Sequence, residues 1–202
     1  MMDPAPPLEI PLFPLRSVLF PAGFLPLRIF EPRYLAMTDA CLRDQSVFGV
    51  CLIRAGFETG QPAVPHAVGC TARIREWEQP QPERYTLMAT GENRFTIRDS
   101  WTRDDGLLMA KVRLLEPPDP LPVPDAHHHL AELLERAITQ IGDAQFPSPQ
   151  RLNDAAWVAN RLTELLPVTP ERKQQILECE DPARALAKVE QMLAELREDP
   201  PI

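Results

Sequence analysis

A chain of 202 residues, 44% of them apolar, is long and apolar enough to bury a core, and 24 prolines against only 8 glycines exclude a collagen-like or low-complexity polymer. The net charge of −8 is uneven: residues 1–118 carry 13 Lys and Arg against 14 Asp and Glu, and residues 119–202 carry 8 against 15, a balance that argues against a nucleic-acid partner, which needs a net basic surface. No apolar run approaches the roughly 18–20 residues that span a bilayer, and the start MMDPAPPLEI lacks the basic head and apolar centre of a secretory signal, so no membrane is expected and the chain is read as cytoplasmic.

The first element is the least ordinary. The stretch PLFPLRSVLFPAGFLPLRIFEPRY, residues 11–34, is nearly as apolar as a buried strand, yet Pro occurs at 11, 14, 21, 26 and 32. Proline has no amide hydrogen to give a ladder, so these positions belong on edges, bulges or turns. IPLFPL reads as an edge strand and RSVLFPAG turns at Pro21–Gly23. In FLPLRIF, Leu25, Leu27 and Ile29 alternate with Pro26, Arg28 and Phe30, the period of a second edge strand. Pro32 then suits the first turn of a helix running through EPRYLAMTDACLRD.

VFGVCLI, residues 47–53, is a continuous short apolar run and reads as a strand covered on both faces. In AVGCTARIRE, Val68, Cys70, Ala72 and Ile74 share one face while Thr71, Arg73 and Arg75 share the other; RYTLMAT, NRFTIRDSW and LLMAKVRLLE alternate likewise. Asp105-Gly106 is a tight hairpin turn. EPPDPLPVPD, residues 116–125, holds five prolines and marks a stiff connector between domains expected at 1–118 and 119–202. Beyond it the period becomes helical: Leu130, Leu133, Leu134, Ala137, Ile138 and Ile141 form one stripe, Leu152 to Leu166 a second, and Leu186, Val189, Leu193 and Leu196 another. Three capping pairs, Ser148-Pro149, Thr169-Pro170 and Asp181-Pro182, signal helix starts.

Chemistry-bearing patterns are scarce. There is no phosphate-cradling G-x-x-x-x-G-K-[ST] loop, no H-E-x-x-H and no G-x-S-x-G, and only four serines and three lysines. His127, His128 and His129 are consecutive, so on a helix their rings diverge and cannot close on one ion; they read as a solvated first turn, and no metal or cofactor is expected. Asp104, Asp105 and Gly106 lack the alternating ligands of a calcium loop. Cys41, Cys51, Cys70 and Cys179 show no C-x-x-C spacing, and three of them read as reduced, buried thiols. The arginines of the strand region, Arg73 to Arg113, are interleaved with Glu76, Glu78, Glu92, Asp99 and Glu116, which suits a salt-bridged solvated face better than an RNA track.

IPLFPLRSVLFPAGFLPLRIFEPRY resembles the opening of the Lon N-terminal, substrate-binding domain family, with its P-L-F/P-L strand, V-L-F-P turn, L-P-L strand and F-E-x-R-Y segment in order. VGCTARIRE is similar to the family's G-T-x-A-R-I strand, and ATGENRFTI to its G-x-x-R-F segment at Gly91, Arg94 and Phe95. The resemblance implies an α+β fold: a PUA-like β pseudo-barrel with an inserted helix, followed by a C-terminal helical bundle. It further implies a non-catalytic module that binds unfolded or client protein segments, of the kind that lacks the family's ATPase and protease engines and acts as an adaptor or chaperone-like binder. RNA or small-molecule binding through the barrel is the alternative. Phe20 and Phe24, on the Pro-fixed turn of the opening stretch, are the candidate peptide-binding residues, as apolar rings on a rigid loop lower the ordering cost of capture.

Overall fold

The computed structural model of the chain describes residues 7–59 and 63–198. The chain divides into two units, 1–116 and 117–202.

The first unit is built on seven strands and one helix: β1 (Leu8–Leu15), β2 (Phe24–Ile29), α1 (Pro32–Asp44), β3 (Phe48–Ala55), β4 (Val64–Pro65), β5 (Val68–Gln81), β6 (Arg84–Thr102) and β7 (Leu108–Leu114). The sheet is mixed. Its order is β1-β7-β6-β5-β3-β4, and a parallel pairing of β1 with β3 brings the first five of these strands round into a barrel-like ring. The closure is uneven, because β1 gives Leu8–Pro11 to β7 (Val112–Met109) and Leu12–Leu15 to β3 (Gly49–Leu52).

That division corrects the reading of IPLFPL as an edge strand and also explains its prolines. No residue of β1 is registered with two neighbours, so at each position one side of the backbone is without a ladder partner and a missing amide donor is tolerated. Period 2 buries both faces: Phe13 and Leu15 enter one core with Tyr34, Met37 and Cys41 of α1, while Ile10 and Leu12 enter another with Phe95, Ala110 and Val112. β2, by contrast, is an edge as its alternation predicts. Among the described residues it pairs only with β6, placing Pro26 opposite Met88, and Leu25, Leu27 and Ile29 face the core.

RYTLMAT and NRFTIRDSW are one strand. β6 runs for 19 residues, its first part between β2 and β5 and its second between β5 and β7. The change of neighbours falls at a bulge, where register slips between Cys70–Arg94 and Ala72–Gly91. The extra length, Glu92 and Asn93, would leave backbone groups unpaired. Thr71, buried on β5, closes the gap: its hydroxyl accepts from the Asn93 amide at 3.0 Å and donates to the Asn93 carbonyl at 3.3 Å. Arg73 grips Glu92 with two bonds, at 2.6 and 3.2 Å.

The turn before β2 seats on this bend. The Gly23 amide donates to the Phe20 carbonyl at 2.9 Å, with Pro21 between them and Ala22 at φ 64°, the pattern of a type II turn. The Ala22 amide donates to the Gly91 carbonyl and the Gly91 amide to the Gly23 carbonyl. A Cβ on Gly91 would lie 2.2 Å from the Phe20 carbonyl oxygen, so only glycine admits the turn. In the first turn of α1, Arg33 binds Glu31 at 3.0 Å, donates to the Gly106 carbonyl at 3.2 Å and lies over the Tyr34 ring, fastening the helix start to the turn between β6 and β7.

The second unit holds α2 (His128–Ile141), α3 (Ala155–Leu165), α4 (Pro170–Leu177) and α5 (Pro182–Glu198), with α3 packed against the other three. Leu130, Leu134, Trp157, Val158, Leu162, Leu186, Val189 and Met192 are buried. Pro170 and Pro182 open α4 and α5, and Asp181 accepts from the Ala183 and Arg184 amides. Ser148-Pro149 does not open α3. That start is Asp154, whose carboxylate accepts from the Trp157 amide at 3.1 Å. The start falls six residues after the serine, at an aspartate inside the apolar stripe.

Gly91→Ala is expected to lower unfolding stability by about 1–3 kcal/mol, the cost of overpacking, since backbone rather than a flexible side chain blocks the new methyl. Ala22→Gly, relieving a left-handed φ, is expected to raise it by up to about 1 kcal/mol. Urea denaturation measures both.

Candidate protein-binding surface

Register places Phe24, Pro26 and Arg28 of β2 on the same face as Thr90, Met88 and Thr86 of β6, and period 2 continues that outer row to Phe30. Phe24 is 41% exposed and Phe30 58%. One aromatic ring and a proline thus stand on a strand whose far edge has no registered neighbour among the described residues, and the second ring, Phe30, follows directly after its last residue. An edge strand offers alternate backbone groups to an incoming extended segment, and exposed rings beside it supply apolar contact area.

The two candidate phenylalanines part company here. Phe20 is fully buried, its carbonyl fixed on Gly91, so its ring belongs to packing and not to an exposed tip. Phe24 lies outside the core, on the first residue of β2. Phe30 was not singled out from the sequence, although the alternation that assigns Pro26 and Arg28 to the outer face assigns it too.

Trp77 is also half exposed and meets the Tyr85 ring edge-on at 5.8 Å. The Tyr85 hydroxyl donates to Asp39 at 2.6 Å, and this bond, with burial adding to it, pushes the phenol up to about 12; it stays protonated as a structural tie to α1. Burial pushes the Cys41 and Cys51 thiols up, away from the thiolate form.

In the second unit His128 and His129 are exposed on the first turn of α2, as expected, while His127 is half-buried. His127 lies within a short 3-10 turn preceding α2, and its ring and that of His129 both reach the Glu190 carboxylate of α5, at 3.4 and 3.0 Å. His128 instead meets the Val123 carbonyl at 2.9 Å. Among the described residues, no group of three or more His, Cys, Asp or Glu is placed to hold a metal ion, and no helix is long and apolar enough to cross a membrane.

Comparison with known proteins bears on what such a surface is for. Residues 9–195 match the model of the ATP-dependent protease La (LON) substrate-binding domain. The chain belongs to the Lon substrate-binding domain family. A Lon protease of Methylocella silvestris is 28% identical over 202 residues, covering 96% of this chain and 25% of the relative. Protein cereblon of Danio rerio is 30% identical over 120 residues, 56% of this chain and 27% of cereblon. The chain thus spans about a quarter of the length of these relatives. The crystal structure of a Lon N-terminal domain protein from Xanthomonas campestris superposes with TM-score 0.75 at 37% identity, covering 93% of this chain and 98% of that one. The N-terminal domain of the Mycobacterium avium complex Lon protease shares the fold, with TM-score 0.67 at 16% identity and coverage of 93% and 99%.

Truncating Phe20 to Ala is expected to cost about 3–5 kcal/mol of stability, whereas Phe24→Ser should stay within about 0.5 kcal/mol of the parent. Urea melts of the two variants separate packing from surface.

Proposed function

We propose that this protein captures unfolded or extended segments of client proteins on the outer face of β2 and its open edge, acting as a non-catalytic adaptor or chaperone-like binder. The observation that carries the reading is the pairing of an edge strand with two exposed phenylalanines, Phe24 and Phe30. The substrate-binding family supports it. Fixing the rings on a strand backed by β6 limits the entropy lost on binding, and the proline at 26 blunts the edge against indiscriminate pairing with other sheets. RNA capture is less favoured, because Arg73 is held by Glu92 through two bonds and the strand arginines are interleaved with acidic residues rather than forming a phosphate track.

The double variant Phe24→Ser/Phe30→Ser is expected to keep its melting temperature and lose about 1–4 kcal/mol of affinity for a reduced, carboxymethylated client, the range for removing aromatic anchors. Calorimetric titration reads the affinity, and unchanged binding would move the site elsewhere. The wild-type complex should persist as salt is raised, where a phosphate-driven contact would weaken steeply. Purified protein should turn over neither ATP nor casein.

A further inference from the structure

β5 leaves its neighbour early. It pairs with β3 only through Cys70–Ala72, and from Arg73 onward its registered partner is β6 alone, so the backbone beyond Ala72 presents an open edge on the β3 side. Against that edge lies a cavity of about 440 Å³, walled by Cys41, Leu42, Gln45 and Ser46 at the end of α1 and by Arg73, Ile74, Arg75 and Trp77 of β5. Its volume falls within the roughly 300–1,000 Å³ of ligand pockets.

The lining has two guanidinium groups and no carboxylate. Arg73 is committed, bonding Glu92 twice and the Gln45 carbonyl once, which also neutralises the negative end of α1. Arg75 is different. It is the extra residue where register slips between Ile74 and Glu76, a bulge position of the kind that re-aims a side chain. It is 53% exposed and gives Glu92 one bond at 3.3 Å, so two positive groups share one negative charge and the excess lies at Arg75. Beside it Leu42, Ile74 and half-exposed Trp77 supply the smaller, apolar part of a mostly polar lining.

We infer that this pocket receives the C-terminal carboxylate of an extended client segment whose last residue is apolar, the segment pairing with the open edge of β5. The inference rests on the proposed client-binding role and names its substrate class. A chain terminus is the group that carries an apolar side chain and a carboxylate on one carbon, matching apolar Trp77 and Ile74 next to the Arg75 fork. Edge pairing supplies the backbone contacts, and the guanidinium gives the end its specificity.

The test uses the full chain and a fluorescein-labelled decapeptide ending Thr-Val-Leu, made as the free acid and as the C-terminal amide, read by fluorescence anisotropy. The free acid should bind about tenfold more tightly than the amide, as expected for a charge-assisted contact. Arg75→Gln should reduce the acid to the level of the amide without changing the melting temperature, and Trp77→Ala should weaken both peptides. Equal binding of acid and amide, no binding of either, or a preference that survives Arg75→Gln overturns the inference, as does an amide peptide ending in Asp that binds as well as the acid. The carboxymethylated client, titrated against the same sample, keeps the two readings apart. Client binding that still depends on Phe24 and Phe30 while acid and amide bind alike defeats the terminal pocket alone. A carboxylate preference without loss of client binding in the double phenylalanine variant defeats the β2 face alone.

Discussion

A single strand that must serve two sets of neighbours governs the first unit. β6 pairs with β2 and β5 at one end and with β5 and β7 at the other, and it changes company at Gly91–Asn93. A bulge bends it there, and the bend is tied down from three sides: the Thr71 hydroxyl serves both backbone groups of Asn93, Arg73 holds the Glu92 carboxylate, and the turn at Phe20–Gly23 occupies the space that glycine leaves. Buried backbone groups left unmet would each cost about 1–3 kcal/mol. The ring of strands therefore depends on a few side chains gathered at this bend.

Several of the residues that carry the family likeness hold this bend or the start of α1. Glu31, Arg33 and Tyr34 fasten the start of α1, with Tyr34 stacked 4.1 Å from Phe13. Thr71 and Arg73 secure the bulge, Gly91 admits the turn, and Phe95 fills the core. Such a motif states how the chain folds. Of the proposed binding residues, Phe24, Arg75 and Trp77 lie between the motif positions, and Phe30 opens the F-E-x-R-Y segment.

This separates what was legible in the sequence from what was not. The period-2 pattern of Leu25, Leu27 and Ile29 reported β2 and its facing correctly, and Pro32, Pro170 and Pro182 marked helix starts, because these signals are local. The place of β1 was not local: only the pairing of one half with β7 and the other with β3 shows why Pro11 and Pro14 do not demand an edge strand. Phe20 and Phe24 look alike four residues apart, yet a carbonyl seated on Gly91 buries one and a strand start exposes the other. Ser148-Pro149 offered a sound cap, and Asp154 prevailed by its position against the Trp157 amide. The Arg75 bulge left no trace in periodicity, since a one-residue slip is visible only against a partner strand.

The split of β1 also bears on the order of events during synthesis. Leu8–Pro11 find their partners at Met109–Val112, about a hundred residues later, so an apolar strand emerges from the ribosome long before the chain that completes it. Contacts of such long sequence separation form slowly, and an apolar segment left waiting is an invitation to pair with a neighbour of the wrong molecule. Pro11 and Pro14 break the run of amide donors such a mispairing would need. They are compatible with the finished ring because each half of β1 has one partner, and protective beforehand because no intruding strand can run unbroken along the whole.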